Sequence, residues 1–196
     1  MKTAIIVAHP DDETIWAGGL ILRHPDWEWT IVSLCRGSDF DRRPKFSTVC
    51  ELFGAKSIIY DLNDSDPLMH VNPGKDIGLR IIQAIGEDTW DLVLTHGENG
   101  EYGHPRHIEV HNEVLKLCDS RLLICNELWV FAYDCASDTG RCKPAPWADT
   151  MVQLSRRELA EKKHIIQGLY GYGKDSFEVT ACISPESFMK HKLPKE

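Results

Sequence analysis

Short apolar runs rich in Ile and Val alternate along this chain with longer stretches whose apolar residues recur at helical spacing. Residues 4–8, 29–35, 57–61, 91–95 and 122–130 read as strands, and residues 12–23, 44–53, 77–85 and 105–117 as the helices between them. Ile77, Ile81 and Ile85 recur four apart, and Ile108, Val114 and Leu115 share one helical side. Gly54 and Gly86 stand where helix C-caps belong. A further helix is predicted over residues 155–169, with Ser155 as N-cap, Glu158 as its capping-box partner, and Lys162 and Lys163 on a solvated face.

Strand and helix alternating in this way predict an α/β fold: a mostly parallel sheet with helices on both faces, joined by right-handed crossovers. Ligands of such a sheet gather beyond the carboxyl ends of the strands, where the strand order reverses. The segments after Ala8, Cys35 and Thr95 are therefore the places to look for chemistry. Residues 134–149 lose periodicity and read as a loop or lid, and the stretch after Cys182 carries little signal. No repeat, low-complexity tract or linker divides the chain, so residues 1–196 are expected to form a single domain.

Directly after the first strand stand His9, Pro10, Asp11, Asp12 and Glu13. Acids in that position can simply cap a helix and complement its dipole. Preceded by His9, and aimed by a proline-restricted turn, they also offer imidazole and carboxylate ligands of the kind zinc takes. After the fourth strand the chain reads Thr95-His96-Gly97-Glu98-Asn99-Gly100-Glu101-Tyr102-Gly103-His104-Pro105-Arg106-His107, with His111 one turn on. Pro105 suits the first helical position, which places His104 at an N-cap. His96 can line the pocket, and Glu98 and Glu101 can cap or rim it. Because both clusters end strands of one parallel sheet, they can meet. His9 and Asp12 with His107 then make three ligands and leave a fourth position open, as a catalytic zinc site requires. Asp11 and His104 are left beside the metal, suited to base and to electrostatic or acid roles.

At these residues the sequence resembles the LmbE-like deacetylases, also called the PIG-L family, over residues 1 to about 130 and more weakly to about 170. The resemblance implies a Rossmann-like sheet and a zinc-dependent hydrolase that removes acetyl groups from N-acetylglucosamine-type amino sugars; a cytoplasmic setting is expected from the cysteine usage instead. By that resemblance His9, Asp12 and His107 match the metal ligands and Asp11 the general base. His104 matches the histidine that stabilises the oxyanion or protonates the leaving amine, and Tyr102 a mobile tyrosine that helps hold the tetrahedral intermediate. Arg42 or Arg43 lies near a substrate-contacting arginine, although the usual Arg-x-x-Glu spacing is absent. Arg106 replaces an Asp often found before the second motif histidine. Fe(II) or Co(II) could stand in for zinc in such a ligand set. Two other readings stay open: a hydrolase of another small-molecule amide or ester, and a metal-binding relative without catalysis.

Charge and cysteine usage narrow the partners. Lys plus Arg number 22 against 30 acids, a net charge of −8, which argues against nucleic acid held by phosphate contacts. No Gly-x-Gly-x-x-Gly follows the first strand, which argues against a plain nucleotide-binding Rossmann protein. His9 and the acids after it interrupt the first apolar run before a secretory core or membrane span is complete, so no integral membrane segment is expected. The expected partner is a small N-acetylated sugar-type molecule; oligomeric state is unreadable. Seven scattered cysteines without a Cys-x-x-Cys pair read as reduced, partly buried thiols rather than a disulfide framework, and zinc held by thiolates is not expected. Trp147 and Tyr133 could stack on a sugar ring or anchor the irregular stretch. His24, His70 and His164 read as ordinary surface or core residues.

Overall fold

The computed structural model describes residues 1–64, 71–85, 88–136 and 141–194. Gly86, His70 and residues 137–140, on which expectations fell, lie outside the described residues. The central sheet has the strands β1 (Lys2–Val7), β2 (Glu28–Cys35), β3 (Lys56–Leu62), β4 (Thr89–Thr95) and β5 (Ile124–Phe131). They run parallel in the order β3-β2-β1-β4-β5, with Ile5 paired to Ile31 on one side and Leu94 on the other. Between them come α1 (Asp12–Arg23), α2 (Arg42–Leu52), a π-helical turn (Pro73–Gly78) continuing into α3 (Leu79–Ile85), the short α4 (Gly100–Gly103) and α5 (Pro105–Asp119).

Both sheet faces are covered, and for that reason the inner strands are buried at nearly every position rather than at alternate ones. Ile5, Val7 and Ile31 face one way and pack with Trp16, Leu20 and Ile21 of α1 and Phe46 and Val49 of α2. Ala4, Ile6, Val32 and Leu34 face the other way and pack with Ile81 of α3 and Val110, Val114 and Leu117 of α5. The predicted Rossmann-like α/β architecture is thus what the chain forms. Among the described residues no helix is long and apolar enough to cross a membrane.

The C-terminal third departs from the sequence reading. Part of the expected loop is a hairpin of β6 (Tyr133–Cys135) and β7 (Cys142–Pro144), and Cys135 and Cys142 sit opposite each other across it as a disulfide. This corrects the expectation of reduced thiols throughout: cross-strand register, not a spacing motif, brings that pair together. β8 (Thr150–Val152) is an edge strand, and β9 (Glu186–His191), from the stretch that carried little signal, lies antiparallel between it and β5. The helix expected over 155–169 runs as α6 (Arg156–His164) and then a π-helical turn (Ile165–Leu169), with the Ser155–Glu158 capping box in place. A last short helix, α7, covers Phe177–Ala181.

Lys162 overturns its assignment to a solvated face. It is fully buried, and its ammonium lies 2.7 Å from Oε1 of Glu186 on β9, also fully buried. Glu186 in turn accepts from the Gly19 and Leu20 amides of α1 at 2.7 and 2.8 Å. Leu154 packs tightly over this stretch: a Cβ on Gly19 would stand 2.3 Å from its side chain, which would have to shift. Tyr133 is buried and donates its hydroxyl to the Trp16 carbonyl at 2.7 Å, so it anchors the hairpin to α1. α1 is therefore gripped along its length by the C-terminal third while its N-terminus points at the crevice.

Candidate metal centre and active site

β1 and β4 are neighbours, but the chain leaves them toward opposite sides of the sheet, and the crevice opens at that switch point. The turn from β1 into α1 is tight. Asp11 takes φ 109°, a region that side-chain-bearing residues avoid. Its amide donates to Glu13 Oε2 at 3.1 Å, and its carbonyl receives the Thr14 and Ile15 amides at 2.9 Å. Asp11 therefore occupies the N-cap of α1, but its side chain makes no capping bond. Its carboxylate turns into the crevice instead.

Three donor atoms converge there. His9 Nδ1 lies 3.3 Å from Asp12 Oδ2 and 3.2 Å from His107 Nε2, and His107 Nε2 lies 3.4 Å from the same Asp12 oxygen. Each ring is aimed by a carboxylate on its far side. His107 Nδ1 bonds Glu101 Oε2 at 2.6 Å, and His9 Nε2 bonds Asp64 Oδ2 at 3.0 Å. His96, fully buried, stacks on His107 but is engaged at both nitrogens. Its Nε2 accepts the Ala8 amide at 2.9 Å and its Nδ1 donates to Glu101 at 2.9 Å. Cys35 falls within reach of His9 and Asp64 as a further possible donor group.

Glu101 is the residue whose importance the sequence understated. It sits in a kinked helical turn at φ 59°, fully enclosed, and also takes the Gly97 amide at 2.7 Å. Gly97 permits this, since a Cβ there would stand 2.4 Å from the Phe131 carbonyl. Burial alone would raise the Glu101 carboxyl, but His96 and the bond from His107 bring it down to about 2. Glu101 thus supplies the carboxylate that Arg106 cannot. Arg106 is buried and turned to Glu109, while Glu98 is exposed.

The rest of the crevice falls into place around the triangle. His104 caps α5 as expected: its Nδ1 accepts the Arg106 amide at 3.2 Å, which puts the ring proton on Nε2. Burial, with His107 and His9 nearby, lowers its pKa to about 4. Tyr102 stands edge-on to His104 and His107 and packs against Phe177. Arg42 Nη1 lies 2.9 Å from Asp11 Oδ2, whereas Arg43 is exposed and reaches toward the Gly37 carbonyl. Tyr172, which the sequence reading did not single out, bonds both Asp11 Oδ2 and Arg42, and the guanidinium lies 4.7 Å from its ring centroid. The signal was available in Gly168-Leu169-Tyr170-Gly171-Tyr172-Gly173, where two tyrosines interleave with glycines after a helix. Trp147 and Tyr133 do not line the crevice.

Burial raises the Asp11 carboxyl and the neighbouring Asp12 charge adds to it, reaching about 8 against the opposing Tyr172 bond and Arg42 charge. Burial would raise Asp12 too, but His107, His96 and His9 hold it well below the carboxylate range. Two adjacent carboxyls are thus driven apart, one a permanent anion and one close to neutral-pH titration. The crevice encloses about 230 Å³, and an open groove along residues 36–41 and 61–64 continues from it past Arg36 and Asp64.

Fold and site together define a Rossmann-like α/β protein with a His/Asp group suited to a metal ion at its switch point. The chain belongs to the PIG-L family, whose model, described as GlcNAc-PI de-N-acetylase, matches residues 4–118. It is 26% identical over 150 residues to a 1D-myo-inositol 2-acetamido-2-deoxy-alpha-D-glucopyranoside deacetylase of Rhodococcus jostii (strain RHA1), covering 56% of this chain and 50% of that protein. A protein of Corynebacterium diphtheriae with the same name is 25% identical over 146 residues, covering 57% and 50%. The chain spans about half the length of the curated relatives it matches. Among solved structures, the A40926 pseudoaglycone deacetylase Dbv21 shares the fold at a TM-score of 0.63 and 15% identity, covering 100% of this chain and 99% of that one. A deacetylase in complex with teicoplanin does so at 0.61 and 10% identity, covering 92% and 87%.

Proposed function

We propose that this chain is a metal-dependent hydrolase that releases acetate from an N-acetylated amino sugar or sugar conjugate, with zinc, Fe(II) or Co(II) held by His9, Asp12 and His107. The observation that carries the reading is the triangle of His9 Nδ1, Asp12 Oδ2 and His107 Nε2, with edges of 3.3, 3.2 and 3.4 Å. Ligands at 2.0–2.1 Å from a tetrahedral centre stand about 3.4 Å apart, so the donor set fits zinc as it is. His96 is unsuitable as a ligand because the Ala8 amide holds its Nε2, and Arg36 competes for Asp64 in the grouping with Cys35. The family, and relatives named as deacetylases of an acetamido sugar, support the substrate class.

Bound there, the metal supplies Lewis-acid polarisation of the amide carbonyl and lowers the pKa of a water toward about 7. The chain's own residues do the rest. Arg42 and Tyr172 both bond Oδ2 of Asp11, and Oδ1 has no hydrogen-bond partner among the described residues. Oδ1 is thus the atom that takes the proton of the attacking water and returns it to the amine as the C–N bond breaks. His104, neutral near pH 7, offers its Nε2 proton to the carbonyl oxygen as charge builds on it. Tyr102 offers a second hydroxyl donor, kept protonated because burial raises its pKa. Donors of this kind are worth about 2.7–4 kcal/mol each. Arg42, which lines the crevice while Arg43 is exposed, is the arginine we assign to substrate contact.

The test is acetate release from a panel of N-acetylated sugars and of unrelated amides and esters, before and after chelation and with zinc, Fe(II) or Co(II) restored. Release confined to the sugars and abolished by chelator is the expected result. Turnover that survives complete metal removal overturns the metal assignment, and turnover confined to other amides or esters overturns the substrate class. No turnover by fully loaded protein returns the chain to a binding role.

A further inference from the structure

Away from the crevice two thiols face each other. Cys118 lies in the last turn of α5 and Cys125 near the start of β5, and their sulfurs are 4.0 Å apart. Cys118 is buried and Cys125 half-buried, and both line a cavity of about 250 Å³ together with Arg121, Ile124 and Leu193. The other free cysteines, Cys35, Cys50 and Cys182, are each buried. A disulfide requires the sulfurs to close to about 2.05 Å, an approach of roughly 2 Å from the 4.0 Å contact. The contact also makes the two sulfurs unequal. Either sulfur can donate in the shared contact, and with Cys118 donating, Cys125 is the one held toward thiolate; Cys125 is also the more exposed of the two. The more accessible sulfur is thus the one closer to thiolate, the reactive form.

We propose that Cys118 and Cys125 form a thiol–disulfide exchange site that accepts the disulfide of a small thiol, with Cys125 attacking and Cys118 resolving. In the first step the Cys125 thiolate bonds to one sulfur of the small disulfide. The original S–S bond breaks, and the departing half leaves as a thiolate with the electron pair. In the second, Cys118 gives its proton to solvent and attacks the Cys125 sulfur, expelling the remaining half as a second thiolate. Two protein thiols are oxidised by two electrons, and one small disulfide is reduced to two thiols. The cavity beside the pair gives the transient adduct room. At 1.5 Å per residue along α5, Cys118 lies about 17 Å from His107, so this chemistry is separate from the metal centre.

The experiment treats the full chain with oxidised glutathione, blocks remaining thiols by alkylation, and maps the tryptic peptides by mass spectrometry. Trypsin cleaves after Lys116 and Arg121, and a second, chymotryptic cut after Trp129 or Phe131 parts Cys125 from the disulfide-bonded Cys135, so a new bond links the peptide holding Cys118 to the one holding Cys125. The expected result is that link, formed at least about tenfold faster than any modification of Cys35, Cys50 or Cys182, whose burial protects them. In Cys118→Ser the reaction is expected to stop at a stable glutathione adduct on Cys125, and in Cys125→Ser to leave Cys118 alkylatable only after denaturation. Two results overturn the proposal: both cysteines reacting no faster than the three buried ones, or a lasting adduct on Cys125 of the unsubstituted chain with no link to Cys118. The unsubstituted chain gives both readouts, so neither variant has to fold for the proposal to be tested.

Discussion

The two walls of the crevice are built differently. One wall, residues 9–12 and 96–107, hangs from the ends of β1 and β4 within the span matched by the family model, and there Glu101 holds the far nitrogen of His107 while Asp64, just past the end of β3, holds that of His9. The other wall comes from beyond that span. Tyr172 on a glycine-flanked loop and Phe177 and Glu178 on a short helix approach Asp11 from the C-terminal third. The first wall gathers donors for a cation; the second orients a carboxylate that is not among them. The contrast teaches that the donors proposed for the metal are fixed by contacts within the first wall, whereas the proposed base, on that same wall, takes its orientation in part from the second through Tyr172, so the two proposed roles can be tested separately.

The sharpest way to break that division is a pair of variants. His107→Ala is expected to abolish stoichiometric metal by elemental analysis, and activity with it. Asp11→Asn is expected to keep full metal while losing about 10²–10⁴-fold in kcat. If Asp11→Asn also loses its metal, the two walls are one unit and the contrast fails.

Next in size is the join between them. Lys162→Met leaves Glu186 charged and buried against the Gly19 and Leu20 amides, and breaking a buried pair in this way typically costs about 3–5 kcal/mol. Denaturant melts are expected to move by that order. A loss below about 1 kcal/mol would mean that the grip of the C-terminal third on α1 is weak.

Two finer substitutions separate the walls without dismantling them. Glu101→Gln removes the anion that orients His107, and metal affinity is expected to fall about 10–100-fold in a competition titration. Tyr172→Phe removes a hydrogen bond to a charged group, about 1.5–3 kcal/mol, so kcat is expected to fall about tenfold or more with metal affinity unchanged. Equal effects of both on metal affinity would erase the distinction.

The same division explains what could be read from the sequence. The first wall was legible because its residues sit within a few positions of strand ends, and apolar periodicity locates those ends: His9, Asp12, His104 and His107 needed only the sheet to bring them together. Even there Glu101 was understated, since its role depends on a kinked turn at φ 59° that no periodicity encodes. The second wall was illegible because its contacts are long-range. Tyr172 meets Asp11 across most of the chain, and the lysine in α6 looks solvated until β9 places Glu186 against it. β9 itself shows little patterning, with Glu186 and Ser187 buried within it. The disulfide likewise depends on hairpin register, and register is invisible in spacing alone.

The smallest expected effect tests the outer edge of the same join. Arg23, at the end of α1, bonds Glu158 at the start of α6 through Nε and Nη2 at 2.9 and 2.8 Å, parallel to the buried Lys162 pair but open to solvent. The Arg23 bond is the main reason that the Glu158 carboxyl drops from 4.5 to about 2. A depressed carboxyl stabilises the fold above its unfolded value, and the contribution is lost as pH falls through the folded one. The pair's share should therefore be complete above about pH 4.5 and gone near pH 2. Exposed pairs are screened, so the whole effect is expected to stay at or below about 1 kcal/mol. Glu158→Gln keeps a partner for the capping box while removing the charge. The stability difference from the parent is expected to be present at neutral pH, to vanish on acidification across that window, and to shrink in about 1 M salt. A difference unchanged by both acid and salt would assign the contact to packing and capping, leaving the buried Glu186 carboxylate, which takes the Gly19 and Leu20 amides, as the charged group that holds α1 to the C-terminal third.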